Sequence, residues 1–155
     1  TKPDPQEPAK NPDDFEVQFF PESGSLLAGG IQTVGFKALG VDGLAEDVKG
    51  TIFNQRDEEQ TSFVSSHRGM GKAVFMVQPG DRYYARVTNA AMIEKRIDLP
   101  GVEESGIHLA ITANRNRINF AIRNHTTLPI DSLRLLVHLR GEVVLHASLS
   151  KYEGQ

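Results

Sequence analysis

A chain of 155 residues has room for one ordinary domain, or for one β-sandwich of about 100 residues followed by part of another. Its 17 Lys and Arg stand against 20 Asp and Glu, interspersed rather than blocked, for a formal net charge of −3; no segment has the basic excess that neutralising phosphates requires, so nucleic acid is not an expected partner. The absence of cysteine excludes disulfides, thiolate metal ligands and cysteine nucleophiles, and no apolar run approaches the ~20 residues of a membrane-spanning helix.

In chain order, residues 1–14 carry four prolines and six charges with Ala9 as the one apolar residue, which predicts an extended Pro-rich linker arriving from an upstream domain. No signal-peptide pattern opens the sequence, and the chain is expected to be a processed or excised piece of a longer one. From Phe15 the pattern changes to short apolar/polar alternations cut by Gly, Pro, Asn and Asp. Period-two alternation marks a sheet with one buried face, so the fold class is all-β, a β-sandwich over residues 15–98.

Within it, a strand Phe15–Phe20 stops at Pro21, which has no N–H for a ladder, and Ser25–Leu27 resumes it. Gln32–Leu39 puts Val34, Phe36 and Ala38 on one face. Gly40-Val41-Asp42-Gly43 turns the chain, with both glycines free to take positive φ. Asp47–Asn54 aligns Val48, Gly50 and Ile52. Glu59–Ser66 follows with Phe63 as its anchor, then Lys72–Val77 with Ala73, Phe75 and Val77 inward. Pro79-Gly80-Asp81 turns into Arg82–Thr88, and Ile93–Asp98 closes the sheet.

Residues 99–106 form a short linker and residues 107–155 a partial second β unit of about four strands: Ile107–Ala113, Arg117–Asn124, Leu133–Arg140 and Val143–Leu149. Most aromatics fall before it, Phe120 and Tyr152 being the exceptions, so two cores are expected with the first larger. In the last hairpin Leu133, Leu135, Val137 and Leu139 share one face and Val143, Leu145, Ala147 and Leu149 another. These sets pair only across an odd-numbered loop, which predicts the three residues Arg140-Gly141-Glu142, with Leu139 opposite Val143 and Leu133 opposite Leu149. Four strands with one apolar face make half a sandwich, which needs a cover.

Candidate sites are few. His67, Arg68, Gly69, Met70, Gly71 and Lys72 form the densest patch of unusual residues. Functionally they read as an exposed contact loop; structurally, Gly69 and Gly71 take positive φ while Met70 tucks into the core, and the structural reading is the default. Asp81-x-Tyr83-x-Ala85 has the spacing of a tyrosine corner, in which the hydroxyl bonds back to nearby backbone and Ala85 fills an inward site; a plain core tyrosine is the alternative. His138 and His146 come out as diagonal neighbours on the outer face of the last hairpin, two ligands where zinc needs three or four. Asp57-Glu58-Glu59 offers oxygens to calcium but is more simply a solvated turn. No paired carboxylates frame a cleft, and Ser62, Ser65 and Ser66 lack His and Asp partners at known motif spacing, so no metal, cofactor or catalytic residue is assigned.

The phrases FFPESGSLLAGG, VGFKALGVDG, SFVSSHRGMGKAVF and PGDRYYARV together resemble the macroglobulin-type sandwich of the α2-macroglobulin and complement superfamily, an immunoglobulin- or fibronectin-like fold. The closest likeness is to versions in envelope proteins of Gram-negative bacteria. LVHLRGEVVLHASL resembles part of the next such domain. The resemblance implies a non-catalytic scaffold or interaction module of a periplasmic or cell-surface protein. Its partners would be other domains of the same parent chain or envelope proteins, with self-association through the incomplete second sheet as another route. The superfamily's thioester chemistry needs a cysteine and cannot reside in this chain. A carbohydrate-binding or adhesin-type sandwich is the alternative, with Tyr84 as its exposed platform.

Overall fold

A computed structural model describes residues 11–129, 131 and 133–148. In chain order its strands are β1 (Phe15–Pro21), β2 (Leu26–Leu27), β3 (Gly30–Gly40), β4 (Val48–Asn54), β5 (Glu59–Val64), β6 (Met70–Val77) and β7 (Tyr83–Asn89). Then come β8 (Glu94–Asp98), β9 (Val102–Glu103), β10 (Ile107–Asn114), β11 (Arg117–Asn124), β12 (Arg134–Leu139) and β13 (Glu142–Ser148). The chain is all-β. Strands β1, β3 and β6 form one antiparallel sheet in that order, and β5, β4, β7 and β8 form a second.

These two sheets pack through the side chains that the alternation assigned inward. Val17, Phe19, Val34, Phe36, Ala73, Phe75 and Val77 from the first meet Val48, Ile52, Phe63, Tyr83, Ala85 and Val87 from the second in one buried cluster. Phe63 centres it, with its ring 4.7 Å from Phe36 and 5.8 Å edge-on from Phe19. Burying a ring of this size contributes about 2–3 kcal/mol, so a few such residues outweigh any surface contact. Pro21 is the last residue of β1 and pairs with Val34; β1 lies at a sheet edge, where a missing N–H is tolerated.

Several expectations need correction. Residues 11–14 are not a free extended linker: Asp14 N donates to Asn11 O in a turn, Asn89 Nδ2 donates to Asp13 O, and Asp14 pairs with Lys95. Residues 1–10 lie outside the described residues. Of Gly40 and Gly43 only Gly43 has positive φ. The segment expected to be a plain linker contains β9, which pairs in parallel with β2.

The second unit is not one four-stranded half-sandwich. β10 pairs with β11 and β12 with β13, as two separate antiparallel hairpins. Among the described residues no hydrophobic side chain beyond Leu99 is buried, so the expected second core is not found there; Tyr152 lies outside the described residues.

The last hairpin turns on two residues, not three. Arg140 (φ 52°) and Gly141 (φ 88°) connect Leu139 to its partner Glu142. The register shifts between Val137 and His138, leaving Val144 as the extra residue of a bulge, and beyond it Val137 faces Leu145 and Leu135 faces Ala147 as the parity required. The bulge supplies the odd residue that the loop was expected to hold. Leu149, the expected partner of Leu133, lies outside the described residues.

Candidate functional site

The His67–Lys72 segment carries the chain from the four-stranded sheet to the three-stranded one. Arg68 (φ 48°) and Gly69 (φ 70°) form its tip, closed by Met70 N donating to His67 O at 2.9 Å. Gly69 is fixed twice over. Its N–H donates to Asp47 Oδ1 and its carbonyl accepts from Ala38 N, while a Cβ would stand 2.5 Å from Ala38 O. Met70 does not enter the core: it begins β6 on the outward parity, with Lys72, Val74 and Met76, and is 42% exposed. Gly71 faces inward and has no positive φ; what the position requires is the missing side chain, since a Cβ there would lie 2.5 Å from the Phe36 ring. The outcome is a backbone-anchored tip presenting His67, Arg68 and Lys72 to solvent.

Asp81, Tyr83 and Ala85 gather where β7 begins. The buried Tyr83 hydroxyl accepts from Gln78 N at 2.8 Å, a bond back to the backbone five residues upstream, and lies 3.4 Å from Asp81 Oδ2 as its donor. Burial pushes the Tyr83 phenol up from its ordinary value, so it keeps its proton. Asp81 Oδ1 accepts from Gln55 Nε2 at 2.7 Å, and Gln55 Oε1 accepts from Arg82 N. Ala85 is fully buried opposite Ile52. The group ties the β6–β7 connection to the β4–β5 turn.

Tyr84 is not an exposed platform. It is 2% exposed, with its ring stacked on Phe53 at 5.5 Å and the Arg96 guanidinium 3.7 Å above it, and its hydroxyl donates to the Asp57 carboxylate. It does point to the outer face of its sheet, but side chains from β4 and β8 cover it there. That hydrogen bond to Asp57, with burial second, raises the Tyr84 phenol.

The neighbouring acids do not converge on a cation. Asp57 is turned to Tyr84, while Glu58 accepts from Asn54 Nδ2 at 2.6 Å and pairs with Arg56, which together lower its carboxyl. In the last hairpin the bulge sets His138 opposite Val143 while His146 faces Leu136. Among the described residues no three His, Asp or Glu side chains are grouped to hold a metal ion.

The sequence reading missed the contact between the sandwich and β10. Leu109 N donates to Ser23 Oγ at 3.2 Å and Ile111 N to Glu22 Oε1 at 3.1 Å, so the β1–β2 connection supplies acceptors to an open strand edge. Gly106 packs against Leu27 so closely that a Cβ would sit 2.5 Å from its methyl carbon. His108, directly before the first of the two bonded amides, is buried. No local pattern marks these residues, since Leu27 is 79 positions from Gly106 and the two hydrogen-bonded pairs are 86 and 89 positions apart. The chain matches neither a protein-family model nor a curated protein.

Proposed function

We propose that this chain is a non-catalytic structural and interaction module, one macroglobulin-like sandwich followed by a smaller β unit, from a larger extracytoplasmic protein. One observation carries the reading: the end of the sandwich receives the next β unit, with Ser23 and Glu22 bonding the edge of β10 and β9 pairing with β2. A module that joins its neighbour through backbone hydrogen bonds acts as a spacer of set orientation, a role needing no reactive group. The sheet order and the Tyr83 bond to Gln78 support an immunoglobulin- or fibronectin-like type of sandwich. The phrases from Phe15 to about Asp98 support the macroglobulin likeness and, through it, an envelope location. The Arg68–Gly69 tip, rigid in backbone and charged in side chains, is the surface offered to a protein partner.

Site-specific photo-crosslinking in intact cells tests this, with the photoreactive residue at Arg68 or at Lys72. Adducts to a neighbouring domain of the parent chain or to an envelope protein are the expected result. Adducts confined to cytoplasmic proteins, or none at either position, would overturn it.

A further inference from the structure

His108 has 4% of its surface exposed, more burial than a two-stranded hairpin gives by itself; the cover is the end of the sandwich. Three contacts define it. The amides of Leu109, directly after His108, and of Ile111 are held by Ser23 and Glu22, which lays the outer edge of β10 along the β1–β2 connection. Arg123, directly opposite His108 in β11, brings Nη1 to 2.9 Å from where a Cβ of Gly30 would stand. His125 reaches Gly29, with Cε1 3.9 Å from the corresponding position. Cross-strand partners share a face, so His108 and Arg123 both lie on the face that meets Gly29–Gly30.

Within this contact His108 Nε2 has no hydrogen-bond partner among the described residues. A neutral imidazole bears that at modest cost, whereas an imidazolium would bury an unpartnered N–H and a positive charge beside a guanidinium. We propose that the joint between the sandwich and the β10–β11 hairpin is acid-labile, with His108 as its sensor: protonation of that imidazole releases the hairpin from the sandwich end. This goes beyond the proposed role as a module and does not depend on its family.

The charged and titratable groups facing His108 are Glu22 from the β1–β2 connection, Arg123 from β11 and His125 just after it. Burial, the largest effect, holds the His108 imidazole below its ordinary value, Arg123 and His125 act in the same direction, and Glu22 opposes them. A depressed histidine is neutral when docked and takes up a proton when released. Docking is therefore strongest above the ordinary imidazole range, about pH 6.5, and weakens as pH falls below it.

Amide exchange at Leu109 and Ile111 in the whole chain, corrected for intrinsic rate, reads the joint directly. Between about pH 7.5 and pH 5.5 their protection should fall by up to roughly tenfold per pH unit below the free imidazole range, while amides of β3 and β7 stay protected. H108Q, which cannot charge, should hold constant protection across the range. If H108Q is undocked throughout, the imidazole resonances of the unsubstituted chain decide, and His108 must titrate with the midpoint at which protection is lost. Flat protection in the unsubstituted chain, a His108 midpoint that does not match, or an unaltered pH dependence in H108Q would each overturn the proposal.

Discussion

At the scale of single residues, Tyr83 and Tyr84 are adjacent in sequence and opposite in legibility. Tyr83 was readable because its partners are local: Asp81 and Gln78 lie two and five positions upstream. Its neighbour was readable only in direction. Alternation points Tyr84 outward, but whether an outward ring is exposed depends on Phe53 and Arg96, which reach it from two other strands. Tyr83→Phe keeps the ring 5.0 Å from Phe75 and removes only the hydroxyl. Losing the acceptor for Gln78 N should cost about 1–2 kcal/mol, seen as a lower urea midpoint with an unchanged slope. An unaltered midpoint would mean that water replaces the phenol at no cost and that the bond fixes nothing.

Among the elements, β8 shows how an edge strand is closed. Its exposed positions Glu94, Arg96 and Asp98 alternate with Lys95 and Ile97, and Lys95, paired with Val87, turns toward the core side. From there Lys95 Nζ reaches Phe15 O at 2.5 Å and Asp14 Oδ1 at 2.6 Å, and lies 5.2 Å from the centre of the Phe15 ring. An inward charge discourages edge-to-edge pairing, and here it also fastens the start of β1 to the opposite sheet. The hydrogen bond from Lys95 holds the Asp14 carboxyl below its ordinary value. A depressed carboxylate stabilises the fold above its unfolded pKa, and the contribution is lost as pH falls through the folded one. Lys95→Met should therefore unfold more easily than the unsubstituted chain at neutral pH, with the gap narrowing below about pH 4. Melting curves across that range check it; a gap that stays constant would assign the effect to packing alone. The same scale explains the β12–β13 tip: apolar parity demanded one odd residue but not its place, and a bulge at Val144 meets that demand as well as a longer loop.

For the whole molecule, the sandwich was legible because its core is written as alternation along each strand, with Gly, Pro, Asn and Asp between strands. The joint was not legible. Ser23 and Glu22 sit in a connection whose composition says only turn, and their partners Leu109 and Ile111 are identified only once β10 has been laid against the sandwich end. Neither Ser23 nor Glu22 belongs to the buried cluster, so exchanging both for alanine leaves the sandwich core intact. It also strips two acceptors from an open strand edge and leaves water to replace them. Backbone relaxation of the whole chain should then separate two tumbling times, one for residues 15–98 and a shorter one for the β10–β11 hairpin, where the unsubstituted chain gives one. Loss of the two bonds should raise the opening of the joint roughly tenfold or more, with the unfolding midpoint of the sandwich unchanged. A single tumbling time in the double variant would shift the weight of the joint to the β2–β9 pair and to Gly106 against Leu27. The orientation of successive units would then be set by strand pairing and close packing, not by the side-chain acceptors.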